Sequence, residues 1–125
     1  MADDSVDVVE QRNLIDAYVR ALRNADGDLA AQLFEPDGII DDLLGGHHHG
    51  SEEIRRFISN RPSITVDDPT KVRIEGSLIC VYGMIHYTGG DDVPIRWLFR
   101  MGDRGIRHLS NSRLPSLEER ALATH

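Results

Sequence analysis

The sequence predicts an α+β domain in which three helices come first and pack onto one side of a curved antiparallel sheet. Two observations carry this. Apolar residues recur at three- and four-residue spacing through the first sixty positions, then alternate with polar ones from Ile64 onward. Turn chemistry separates the segments at Asn24-Ala25-Asp26-Gly27, Pro36-Asp37-Gly38, Gly76-Ser77, Thr88-Gly89-Gly90-Asp91-Asp92 and Gly102-Asp103-Arg104-Gly105. With 125 residues and neither repeat nor linker, residues 1–125 read as a single domain, its core at about 8–114 and a tail at 115–125.

The elements follow in order. A first helix over about Ser5–Arg23 places Val9, Leu14, Ile15, Tyr18, Val19 and Leu22 on one face. A second, short helix is expected to be capped by Asp28 and to bury Leu29, Ala30, Leu33 and Phe34. Gly38–Leu44 reads as a short strand and Gly45–Gly50 as a loop. Ser51 is the expected cap of a third helix, with Glu52 and Glu53 suiting its positive end and Ile54, Phe57 and Ile58 turned inward; Asn60-Arg61-Pro62 ends it. Strands are then predicted at Ile64–Val66, Lys71–Glu75, Leu78–Tyr87, Val93–Met101 and Ile106–Arg113, and Leu117–Ala123 as a helical turn or loose tail. A curved sheet with helices on its concave side makes a cone with one deep pocket, a usual place for a small ligand.

Composition narrows the function classes. A net charge of −7 argues against a nucleic-acid or anionic-membrane surface. No apolar run reaches the length of a membrane span, and the acidic start MADDSVD lacks the pattern of a signal peptide, so a cytoplasmic protein is expected. The lone cysteine, Cys80, sits in the apolar run LICVY and reads as a small core residue.

The phrase YVRALRNADGDLAAQLFEPDGIIDDLLGG, followed by HGSEEIRRFI and later GDRGIRHLSNSRL, resembles the SnoaL-like and ketosteroid-isomerase-like branch of the NTF2-like superfamily, over roughly residues 10–114. The resemblance implies the NTF2-like cone, a homodimer, and a pocket for a hydrophobic small molecule. Family activities include steroid isomerisation, polyketide cyclisation, dehydration and epoxide hydrolysis, and some members have no catalysis, so fold alone does not fix function. Tyr18 and Asp42 fall on the helix and strand positions that in the isomerases hold the enolate-stabilising tyrosine and the proton-shuttling carboxylate. The third partner there is a protonated aspartate on a late strand; here Trp97 stands in its place, with one N–H donor and no titration.

The candidate catalytic residues are therefore Asp42 and Tyr18. An aspartate facing an apolar pocket is expected to have its pKa raised and to serve as a general base, while Asp41 points to the opposite face. Phe34, Phe57, Ile58, Trp97 and Phe99 are expected to line the pocket, with Asn111 and Arg113 on the concave face of the last strand. The run His47-His48-His49 looks like a metal site, but consecutive residues do not converge three imidazoles on one ion, so no metal is expected; His49 is the candidate for a proton relay. The faces carrying His86 and His108 stay open. The function expected is general acid–base catalysis on a hydrophobic carbonyl compound, without metal or organic cofactor. The alternatives are a non-catalytic ligand-binding or dimeric assembly module and, third, an epoxide hydrolase, whose Asp–Arg–Asp set the late strands do not supply.

Overall fold

The structure is a computed structural model and describes residues 2–61, 64–90 and 92–114. The expected tail turn at Leu117–Ala123, the helix-ending Pro62 and the hairpin residue Asp91 lie outside the described residues. Among the described residues no helix is long and apolar enough to cross a membrane.

Helix α1 (Ala2–Asn24) buries Ile15, Tyr18, Val19 and Leu22, the stripe that the spacing marks, whereas Val9 stays exposed. Ala25 adopts a left-handed φ of 50° and ends it. The cap of α2 (Gly27–Leu33) is Asp26, not Asp28: its Oδ1 accepts the Leu29 N–H at 3.0 Å, the reach a cap needs three residues ahead. Gly27 lets α2 come close to α3 (Ser51–Ser59), for a Cβ there would stand 2.3 Å from the Arg55 carbonyl oxygen. The α3 cap is Gly50, whose φ of 90° suits glycine, and Ser51 is already the first helical residue.

Strand β1 (Phe34–Asp41) begins and ends earlier than the pattern suggests, and His47–His49 forms a strand, β2, rather than loop. The pairing of β1 with its neighbour shifts between Phe34 and Ile39, where Pro36 has no N–H to contribute to a ladder. The remaining strands match expectation to within a residue: β3 (Ile64–Val66), β4 (Lys71–Glu75), β5 (Leu78–Tyr87), β6 (Asp92–Gly102) and β7 (Gly105–Arg113). Their order across the sheet is β2-β1-β7-β6-β5-β3, with β4 also paired to β5. All pairings are antiparallel except β1 with β7.

Alternation then decides the faces. Ile79, Val81 and Ile85 of β5, Ile95, Trp97 and Phe99 of β6 and Leu109 of β7 are all buried against the helices on the concave side of the curled sheet. Even-numbered β5 residues turn outward, where Cys80 packs with Tyr82 and Leu114 in a second, smaller cluster.

Candidate active site

The site is built on the hairpin between β1 and β2. Strand β1 stops because Asp42 turns the chain on itself: its Oδ1 accepts the N–H groups of Leu44 (2.9 Å) and Gly46 (2.8 Å), and its own N–H donates to the Gly46 carbonyl at 2.9 Å. The returning strand is in register with β1, so that His48 lies opposite Ile40, His49 opposite Ile39 and His47 opposite Asp41. Opposite residues of an antiparallel pair share a face. Ile40 is fully buried on the concave side, so His48 points inward with it, and His47 and His49 point out.

Inside, His48 Nε2 meets Asp42 Oδ2 at 2.8 Å, with the two side chains only 24% and 18% exposed. The imidazole stacks on Phe57 of α3, centroids 4.1 Å apart and planes within 23°. Burial is the largest influence on the Asp42 carboxyl and pushes its pKa up, but the His48, Gly46 and Leu44 hydrogen bonds together outweigh it and hold Asp42 below the ordinary value. The expected elevation of Asp42 is thereby overturned. An ionised Asp42 can only accept, so Nε2 is the donor in this contact, and Nδ1 of His48 has no hydrogen-bond partner among the described residues. A carboxylate that orients an imidazole and leaves the far nitrogen basic is the working part of many general-base sites.

These residues line a cavity of about 460 Å³, together with Leu43 and Leu44 from the turn, Glu53, Arg56, Phe57, Asn60 and Arg61 from α3 and its end, Tyr87 of β5 and Asn111 of β7. Asn111 donates its amide N–H to the Asp41 carbonyl at 2.9 Å, tying β7 to the end of β1. Glu53 Oε1 accepts the His49 N–H at 2.8 Å. The Arg61 guanidinium lies over the Phe57 ring, 5.1 Å from its centroid, and its Nε is buried without a partner.

Of the residues expected in the pocket, Asp42, Phe57 and Asn111 are on its wall. Tyr18 is not among the lining residues: it is 1% exposed and packs edge-on against Phe34 (6.2 Å) and Phe99 (5.5 Å). Burial pushes its hydroxyl well above the ordinary value, and the nearby Arg61 charge offsets part of that. Phe34, Ile58, Trp97 and Phe99 likewise belong to the closed core, and the Trp97 N–H has no partner there. Arg113 is exposed at the strand end. His49 is exposed, and the position foreseen for it is taken by His48. His86 and His108 are on the outer face: His108 Nε2 meets Asp41 Oδ2 at 2.6 Å, and His86 bridges Asp67 (2.9 Å) and Asp92 (2.6 Å). Among the described residues no three His, Cys, Asp or Glu side chains are placed to hold a metal ion.

Comparison with known proteins agrees with this architecture. No curated protein matches the sequence. Among solved structures, a protein from Sphaerobacter thermophilus is 27% identical and superposes with a TM-score of 0.74 over 82% of this chain and 94% of its own. A protein with a ketosteroid isomerase-like fold from Catenulispora acidiphila, solved in complex with trimethylamine, is 22% identical with a TM-score of 0.69 over 85% and 87%. An LEH-like epoxide hydrolase of M. tuberculosis shares the fold at 14% identity, TM-score 0.64, over 82% and 80%. The model of the SnoaL-like domain matches residues 15–108, and the chain belongs to that family.

Proposed function

We propose that this protein is an acid–base enzyme acting on a hydrophobic carbonyl compound, an isomerase or a polyketide cyclase or dehydratase of the SnoaL-like type. The observation that carries the reading is the Asp42–His48 contact at 2.8 Å on the wall of an apolar-floored cavity. In it His48 Nδ1 removes a proton from carbon next to the carbonyl, and Asp42 orients the ring and stabilises the imidazolium that forms. Tyr87, which is on the wall where Tyr18 is not, brings an O–H donor toward the developing oxyanion. Isomerisation, aldol-type cyclisation and dehydration all begin with this proton transfer.

The test needs no knowledge of the natural substrate. Ketones and β-keto esters are incubated with the protein in D₂O and exchange of their α-protons is followed by NMR. Wild type accelerates exchange of at least one of them, and His48→Gln abolishes the acceleration; full activity in His48→Gln would sink the assignment. A second reading, a ligand-binding module without catalysis, draws on the lowered Asp42 carboxyl and on Trp97 standing where isomerases carry an acid. It is supported instead if ligands bind and none exchanges.

A further inference from the structure

We infer that the compound taken by this cavity carries a carboxylate as well as a carbonyl, and that Arg61 is its anchor. The inference rests on the acid–base reading for the carbonyl end and on separate observations for the acid end. The carboxylates on the wall are engaged: both Asp42 oxygens hold hydrogen bonds, and Glu53 takes the His49 N–H. Arg61 is the opposite case. Among the described residues its guanidinium forms no ion pair, although it lines the cavity and lies over Phe57. A permanent cation on the wall of a largely apolar cavity, with no carboxylate of the described residues to pair with, is a ready partner for an anion brought in by the ligand.

The planar fork of an arginine fits a carboxylate with two parallel hydrogen bonds. A dianionic phosphate fits less well, because Asp42 and Glu53 share the cavity and would repel the second charge. The spacing sets the scale of the ligand. His48 is 4.1 Å and Arg61 5.1 Å from the Phe57 ring centroid, so imidazole and guanidinium are at most about 9 Å apart. Within that limit, a carboxylate two or three carbons from the acidic C–H can reach both groups once contacts of about 3 Å are made at each end.

The probes are 4-oxo-4-phenylbutanoate and its methyl ester, which differ in the anionic group. Wild type should bind the acid about tenfold to a hundredfold more tightly than the ester in an NMR or calorimetric titration. Arg61→Met should bring that ratio close to one, and Arg61→Lys should keep part of it. Equal binding of acid and ester by wild type overturns the inference, whether or not the Arg61 variants fold, as does an unchanged ratio in folded Arg61→Met. Deuterium exchange at the methylene next to the ketone separates the two readings. Acid preference through Arg61 with no exchange of this probe or of any of the ketones and β-keto esters keeps the anchor and removes the acid–base reading, whereas exchange without acid preference removes the anchor alone.

Discussion

Asp42 and His48 are joined across the five-residue connection 42–46 that the same aspartate holds together, so one carboxylate both shapes the hairpin and orients the imidazole. Oδ1 serves the backbone and Oδ2 serves the ring. This division makes the structural and chemical parts of the residue separable by mutation.

Asp42→Asn keeps an oxygen for the Leu44 and Gly46 N–H groups but loses the charge that His48 uses. It should cost about 1 kcal/mol in unfolding free energy, while proton-exchange activity falls by about 10²-fold or more. Asp42→Ala strands both N–H groups and should cost about 1–3 kcal/mol. The folded-state pKa of Asp42 is depressed, so the contribution of its charge is present above the ordinary carboxyl value of 3.8 and lost as pH falls through the lower folded value. Urea unfolding of wild type and Asp42→Asn should therefore converge toward acid pH. A gap that widened on acidification would contradict the hydrogen-bond account.

Gly46→Ala offers a way to break the pair without altering a charge. A Cβ at Gly46 would stand 2.3 Å from Asp42 Oδ2, the oxygen that meets His48. The carboxylate must swing away, and exchange activity should drop toward that of Asp42→Asn in a protein that still folds. A crystal structure of the variant should show the Asp42–His48 distance beyond about 3.5 Å. Retention of both the contact and the activity would mean that the turn backbone yields instead.

The long periodic segments were legible because burial on one face is their common cause. The stripe Ile15, Tyr18, Val19, Leu22 and the alternation along β5, β6 and β7 emerge as expected. What periodicity reports is the face of a residue, not its depth. On a concave sheet the inward face holds core and cavity alike, which is why Tyr18, Phe34, Ile58, Trp97 and Phe99 point the right way yet end in closed packing. The triple histidine hid its one inward member for another reason. A three-residue strand of identical side chains carries no alternation to read, and only its pairing with Ile39–Asp41 picks out His48. Arg61 gave no signal, since its cavity exists only once α3 folds over the hairpin.

The outer face carries a pH-dependent contact of its own. His86 meets Asp67 and Asp92, and these two hydrogen bonds, the Asp67 one first, raise its pKa above the ordinary 6.5 against the opposing effect of burial. A raised folded pKa means stability that is complete below pH 6.5 and fades as pH rises through the folded value. His86→Gln should consequently be less stable than wild type at pH 5.5–6 and nearly equal to it in alkaline buffer, by thermal melts across about pH 5–9. A stability difference independent of pH would show that the histidine acts by packing alone.

Gly83 and Trp97 supply a test of the core. A Cβ on Gly83 would come within 2.6 Å of Trp97 Cζ3, in a region where both residues are buried and the Trp97 N–H is without a partner. Gly83→Ala should cost about 1–3 kcal/mol through overpacking. Trp97→Phe removes ring atoms and the unmatched donor together; it leaves a void but also relieves an unsatisfied group, so its cost should fall below the roughly 3–5 kcal/mol seen on truncating a core tryptophan to alanine. Combined, the alanine methyl occupies part of the space that the smaller ring vacates. The double variant should then be more stable than the two single costs added together, by about 1 kcal/mol, as read from chemical denaturation of all four proteins. Strict additivity would mean that the backbone around Gly83, rather than the indole, gives way to the new methyl group.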